Sequence, residues 1–563
     1  MSLLRPLPIL FPLLALSCSV EGYREEADSE VYQILADKES QAIGEARDPR
    51  DFRLPEQQTP LRVRLIEALE RGETPRLELD LEAALEVAAV NSRQFQDQKE
   101  SLYLAALALT GQRNRYSSIF AGSAQADASG TGDTEESRGN ASGSLSVSKI
   151  LGSGARVLGS FINTFFRVFT SGDEWNASSL LSLSITQPLL EGFGSEVTLE
   201  PLTQAERTVV YAIRRYERFR RTFAVDVITE YLAVLQLDDN LENQASNFAS
   251  LTQNRERSEE LSKAGRLPKF QVDQARQQEL SAQDRKIVAD ARHRAALDRF
   301  KITLGLPMEV ELVLDEKVFE KLRGFGVAAL SLTEEEAIDI ALAKRLDLKN
   351  AREQLADADR QTRVAANALQ LGLDLSAALD VPNERSGKPY KMNWHRFEWE
   401  LGLAIDLPLN KVPERNVYRQ SLIALGSEER SLSLILDQIM QGIRDELRDV
   451  RASFRSYRIQ ENSLALASQR VESTLLLIDA GRADTRDYLE AEQSLLSARI
   501  ALTGVLVDYM TSKLRLLRDL ELVEIGAEGL SLDLSALELW TEGTKDAPGQ
   551  PEKGPPETQK RKE

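Results

Sequence analysis

The 563-residue sequence contains one cysteine, Cys18, and two histidines, His293 and His395. A single cysteine excludes an intramolecular disulfide. The same scarcity excludes a Cys/His zinc site and a Cys/His nucleophile pair. Positive charge is in deficit: 70 Lys and Arg stand against 89 Asp and Glu, a formal net of -19. A chain this acidic repels phosphates, so nucleic acid is not an expected partner. P-loop and dinucleotide-binding glycine patterns are absent too, and Gly152-Ser153-Gly154 reads as a strand turn. Asp/Glu pairs occur at the helical spacing that any acidic long helix shows and give no sign of acid-base work. The expectation is a protein that is not an enzyme and uses neither metal nor cofactor. One dense basic cluster, Arg214, Arg215, Arg218, Arg220 and Arg221, reads as a solvated helix face.

Long apolar runs are also lacking. Beyond the N-terminus none reaches the ~18 to 20 residues that a spanning helix needs. A membrane could then be crossed only by strands closed into a barrel, because open sheet edges cannot be satisfied in lipid. The N-terminus has the layout of a secretory signal: Arg5, an apolar run from Leu7 to Leu16, then the small Ser17. Ala15-Leu16-Ser17-Cys18 resembles a bacterial lipobox, in which the cysteine becomes the lipidated first residue. The bland reading is an ordinary signal peptide with an incidental cysteine. The expected divisions are a signal peptide at 1–17 and an N-terminal extension at 18–78. A short helical stretch is expected near Glu26 to Lys38, and a disordered Pro/Gly/Lys/Glu tail at 541–563.

Proline is missing from Leu202 to Leu267, and again from Glu414 to the tail, where only Gly426 and Gly442 interrupt the run before Gly481. As helices these stretches would reach roughly 90 to 100 Å, and they need partners along their whole length. Both end in similar turns, Ala264-Gly265-Arg266-Leu267-Pro268 and Ala480-Gly481-Arg482-Ala483-Asp484, with Ala275 and Ala491 equally far beyond. Glycine suits the left-handed residue that ends a helix, while Pro268 and Asp484 suit the start of the next. Earlier in the chain, Asp80 reads as the N-cap of a helix running to about Tyr116.

Strict alternation marks strands at Leu371 to Val381 and Phe397 to Leu407. A soluble sheet over a helix layer would alternate in the same way. Tyr390, Trp394, Phe397 and Trp399, however, cluster at the hairpin mouth, where an aromatic girdle would sit. Weaker counterparts lie at Ile119 to Ala128 and Leu181 to Gln187, with a loop expected from Gly130 to Gly143. Leu145 to Lys149 and Arg156 to Val168 read as an additional hairpin without a partner in the second half. Pro188 and Pro408 then mark equivalent exits from strand to long helix.

Helix, strand hairpin, long helix, glycine turn and helix, met twice, resemble the TolC-like outer-membrane efflux family over roughly residues 79 to 525. The markers are Pro188 and Pro408, the two Ala-Gly-Arg turns, and Leu304-Gly305-Leu306-Pro307. The resemblance implies a mostly α fold with a β-barrel portion and two internal repeats, 79–315 and 330–525. It implies a homotrimer in which four strands per chain close one twelve-stranded outer-membrane barrel, continued by a periplasmic α-helical barrel. Such a protein would be the exit duct of a tripartite efflux or type I secretion system. It would pass small molecules or proteins from a periplasmic adaptor and inner-membrane pump to the exterior, with outer-membrane lipid around its strands. By the same resemblance Gly265, Arg266, Gly481 and Arg482 would face the adaptor; the alternative is that the glycines are helix caps only. Asp487 and Glu490, three apart and so on one helical face, would ring the periplasmic entrance, favour cations and make closure pH-sensitive. A solvated face is the alternative there, and Gln271 and Gln274 hold the corresponding places in the first repeat. A different class, a periplasmic coiled-coil scaffold without a pore, would explain the helices and charge but not the strands.

Overall fold

The computed structural model describes residues 20–44, 60–130, 132, 137–168, 176–315, 317–319, 327–384, 391–480, 482–526 and 530. Cys18, Tyr390, Gly481 and the tail from 541 lie outside the described residues. The helices are α1 (Val20–Ile43), α2 (Pro60–Glu70), α3 (Leu81–Asn91), α4 (Arg93–Tyr116), α5 (Ser195–Thr198), α6 (Glu200–Lys263), α7 (Lys269–Leu304), α8 (Glu334–Lys344), α9 (Leu346–Asn367), α10 (Val412–Asp479) and α11 (Thr485–Asp519). The strands are β1 (Arg76–Leu79), β2 (Ile119–Gly130), β3 (Ser137–Ile150), β4 (Arg156–Val168), β5 (Asn176–Pro188), β6 (Glu311–Leu314), β7 (Gly372–Pro382) and β8 (Glu398–Asp406). The long helices of the two proline-free stretches, α6 and α10, are continuous over 64 and 68 residues. Pro201 and Pro413 sit at their second residues, where a missing N–H costs no helical bond. No described helix is long and apolar enough to cross a membrane.

The chain forms two units, one of residues 1–52, 101–214 and 348–434, the other of 53–100, 215–347 and 435–563. In the first unit, β2-β3-β4-β5-β7-β8 form one antiparallel sheet in that order. The additional hairpin is therefore an integral part of the sheet, and the implied count of four strands per chain is corrected to six. Three such chains would bring eighteen strands together, not twelve. The expected loop from Gly130 to Gly143 is also corrected, because β3 begins at Ser137. Its Ser, Gly and Asn residues alternate too little to signal a strand, yet β2 on one side and β4 on the other pair with it along its length.

The tight turn between β3 and β4 is fixed by chemistry. Gly154 has φ of 92°, and a side chain there would run into the Gly192 carbonyl and Pro188. Ser153 Oγ donates to Gln187 Oε1 at 2.7 Å, Gln187 Nε2 donates to the Ser153 carbonyl at 3.0 Å, and the Gly194 N–H donates to the same carbonyl at 3.2 Å. The turn is thus tied to the segment that leads from β5 into α6. Beside it, α6 and α9 join through Asp357, which accepts from the Tyr211 hydroxyl at 2.6 Å and pairs with Arg207 and Arg360.

In the second unit the helix expected to run from Asp80 to Tyr116 is broken at Ser92, whose ψ is 126°. Asp80 does cap it, its carboxylate accepting from the Ala83 N–H at 2.8 Å. The break coincides with the close approach of Gly305, the left-handed cap of α7, to the Asn91 backbone. β1 and β6 pair in parallel next to it, and the buried Tyr231 hydroxyl donates to the Leu79 carbonyl at 3.1 Å.

Along α7 the alanines Ala275, Ala282, Ala289 and Ala296 recur every seventh residue, and all are buried. A small residue at each heptad position lets neighbouring backbones come close. Leu251 of α6, Ala282 and Leu489 of α11 pack together, and Ala467 of α10 packs with Leu495 and Ala498 of α11.

The arginine cluster is only in small part a solvated face: Arg215 is exposed as expected, but the other four are buried or half-buried. In the first unit Arg214 is 6% exposed and donates to Glu353 at 2.8 Å and to the Ala42 carbonyl at 3.1 Å. In the second, Arg220 is 4% exposed and pairs with Glu217, while Arg218 and Arg221 both reach Glu521. Partners distant in the sequence turn charges that look like a surface into internal ties.

Candidate functional site

Because side chains alternate across a strand, the register of the sheet sorts its residues into two faces. Phe120, Val147, Gly159, Leu183, Leu379 and Trp399 are successive neighbours on one face. The parallel row Gly122, Leu145, Phe161, Leu181 and Val381 belongs to the same face. The intervening row, on the opposite face, reads Ala121, Ser146, Ser160, Ser182, Asp380 and Glu398. One face is therefore apolar and the other rich in hydroxyls and acids. β4 departs from this, carrying Leu158, Ile162 and Phe166 on the polar face as well. Leu145, Leu183, Trp399 and Leu401 are each more than half exposed, so the chain itself does not cover the apolar face at these positions. An apolar surface of this extent needs a nonaqueous neighbour.

The ladder is also staggered, always in one direction. Taking each strand's end on the side of the long helices, β3 overshoots β2 by two residues, β5 overshoots β4 by two and β7 overshoots β5 by two, while β3–β4 and β7–β8 end level. Six residues over five pairings, at about 3.4 Å per residue and about 4.8 Å between strands, corresponds to a tilt of roughly 40°. Spanning barrel strands tilt by about 35–45°. The open edges lie on β2 and β8, and β2 is exposed at every residue. These two edge strands run antiparallel, as the alternation through six strands requires.

The residues expected as a girdle are exposed at the end of this sheet away from the long helices. Trp399 lies at the start of β8 on the apolar face, Phe397 precedes the strand by one residue, and Trp394, in the connection from β7, lines an apolar groove with Phe120, Leu145, Phe161, Leu181 and Leu379. At the other end Pro188 closes β5, and the Leu189 N–H donates to the Leu373 carbonyl at 2.7 Å. Pro408 follows β8 by two residues, and Lys411 then binds the Gln370 carbonyl.

The helical turns belong to the second unit. Gly265 has φ of 69°, the Arg266 N–H donates to the Leu261 carbonyl at 2.9 Å, and a side chain at Gly265 would meet open space. The Arg482 N–H makes the matching six-residue bond to the Leu477 carbonyl at 2.8 Å. The first loop closes as a left-handed helix cap, and the second shares its closing hydrogen bond. Arg266 and Arg482 are exposed.

Asp487 and Glu490 share the exposed side of the first turns of α11, but both carboxylates have partners. Asp487 accepts from the Asp484 N–H at 3.1 Å in a capping box. Glu490 pairs with Arg470 of α10 at 2.8 Å, near Gln274, Gln278 and Arg486. Nothing in the local sequence around Arg470 marks it as the partner of Glu490. The available signal was symmetry, since Arg470 and Glu490 stand equally far from Ala480, where the hairpin folds back.

Compared with known proteins, no family model matches the chain, and no curated sequence matches it. Solved structures do. The outer-membrane channel OprN superposes with a TM-score of 0.57 at 14% identity, covering 78% of this chain and 89% of that one. VceC, an outer-membrane protein of Vibrio cholerae, gives 0.57 at 16% identity, over 78% of this chain and 95% of that one. The CmeC outer membrane channel of Campylobacter jejuni gives 0.57 at 14%, over 80% and 86%. The chain has the fold of TolC-like outer-membrane channels.

Proposed function

We propose that a chain with this fold is the outer-membrane exit duct of a tripartite efflux or secretion system, and that it acts as a homotrimer without catalysing a reaction. The carrying observation is the tilted sheet with one uncovered apolar face, one hydroxyl- and acid-rich face and two open edges. In lipid an open edge is intolerable, so the sheet must close with its copies. The apolar face then meets acyl chains, and Trp394, Phe397 and Trp399 lie at a membrane boundary. The long helices supply the periplasmic wall of the duct. Its turns, with Gly265, Arg266, Gly481 and Arg482, meet a periplasmic adaptor that links the duct to an inner-membrane pump. Asp487 and Glu490 line the periplasmic entrance, where Arg470 holds Glu490 until the hairpins part. Cys18 carries the lipid anchor.

The test is membrane fractionation, mass in mild detergent and current across a planar bilayer. An outer-membrane trimer that conducts is expected. A soluble monomer that passes no current would overturn the reading and leave a scaffold.

A further inference from the structure

We infer that the inserted hairpin β3–β4 sets the bore of the duct, so that three copies close an eighteen-stranded exit wide enough for polypeptide cargo with helical hairpin structure. This rests on the trimeric duct proposed above.

The hairpin is built into the sheet. β3 pairs with β2 over twelve positions and with β4 over thirteen, and β4 pairs with β5 over eleven. Its 14- and 13-residue strands exceed the ~9–11 residues a tilted strand needs to span. Its turn is tied down by Ser153, Gln187 and Gly194, and Gly154 occupies a place that only glycine fits. Excising this hairpin would leave four strands, with β2 and β5 as neighbours.

Strand number and tilt together set the diameter of a barrel. At a tilt of about 40° and a spacing of about 4.8 Å, eighteen strands give a backbone diameter of roughly 36 Å and twelve give roughly 24 Å. Side chains on the inner face take up about 10 Å of either. The free bore is then about 26 Å against about 14 Å. A helix with its side chains is about 10–12 Å across, so the wide bore passes two side by side where the narrow bore passes one. The lining of β3 is small, since Ser142, Ser144, Ser146 and Ser148 project from its polar face, whereas β4 turns Leu158, Ile162 and Phe166 to the same side within the ~10 Å allowed for side chains.

Electron cryomicroscopy of the full-length protein in lipid nanodiscs should show eighteen strands in one ring. A ring of twelve, with β3–β4 displaced from the wall, overturns the inference while leaving the duct intact. If no closed ring forms at all, the duct reading itself fails. A second measurement uses Ser144→Cys, a mid-strand position on the polar face, probed from outside with maleimide-polyethylene glycols. Reagents of about 10 Å radius should label it, because they fit the wide bore and not the narrow one. Labelling only by much smaller reagents, in a trimer that conducts, overturns the wide bore alone.

Discussion

Arg221 holds Glu521 in a backbone conformation that glutamate rarely adopts. The Glu521 φ is 55°, and its carboxylate lies 2.6 Å from the Arg221 guanidinium and 2.8 Å from that of Arg218. It occupies the left-handed place after α11 where glycine is usual, and the Leu522 N–H closes the cap on the Leu517 carbonyl. The strain, on the order of 1–2 kcal/mol, is offset by two ion pairs whose carboxylate is 3% exposed.

Glu521→Gln should therefore destabilise the helical unit by about 2 kcal/mol, since charge-assisted bonds are lost while the strain stays. Arg444→Ala, which breaks an ion pair with Glu334 that is 46% exposed on both sides, should cost less than about 1 kcal/mol. Thermal melts followed by helical circular dichroism in detergent compare the two. Equal losses would refute the assignment.

Two glycines with nearly equal φ should respond differently to alanine. At Gly305 the added Cβ would overlap the Asn91 carbonyl, whereas at Gly265 it meets nothing within 4 Å. Gly265→Ala should cost only the left-handed penalty of about 1–2 kcal/mol. Gly305→Ala should cost that and about 1–3 kcal/mol more for the forced shift. The same melts read the difference.

Of this architecture, the sequence announced the strands with strong alternation and the helices free of proline. β4 spans Arg156–Val168, as its sequence predicts, and β8 differs from its expected span by one residue at each end. Signals failed where the cause lay far along the chain. The helix break at Ser92 coincides with the approach of Gly305, and the pairing of the half-buried Arg218 and Arg221 depends on Glu521. β3 escaped notice at its start because serine and glycine fill both faces there. Among the candidate site residues, Pro188 and Gly265 were readable from local chemistry. The partners of Asp487 and Glu490 required knowing how the hairpin folds back.

Asp380 faces Glu398 directly across β7 and β8, with Glu400 two residues on along the same face and Asp374 and Asp406 nearer the helices. Like charges in register weaken a sheet, so their presence implies a compensating solvent or ion environment. If the sheet closes as proposed, its pore should prefer cations. The triple variant Asp380→Asn, Glu398→Gln, Glu400→Gln should move the reversal potential in a potassium chloride gradient toward zero by at least about half. An unchanged potential would remove these acids from the permeation path.

Burial raises the Glu230 carboxyl above its ordinary 4.5, and Asp226 adds to the rise, although a hydrogen bond with Thr303 and the charge of Arg299 oppose it. The folded protein therefore binds this proton more tightly than the unfolded chain does. Its contribution to stability is greatest in acid and is lost as pH climbs from 4.5 through the raised value. Glu230→Gln should melt close to wild type near pH 4 and higher than wild type near pH 8, roughly at the scale of 1 °C. A gap that does not depend on pH would assign the effect to packing instead.

The alternating direction of the six strands restricts how such an exit can be resized. Adding or deleting a single strand would turn β8 parallel to β2 of the next copy and break the uniform pairing of the wall. Only a complete hairpin can enter or leave, and threefold symmetry multiplies each change by three. The aperture is consequently quantised in increments of six strands, so a lineage altering its cargo must jump between discrete calibres without passing through intermediates.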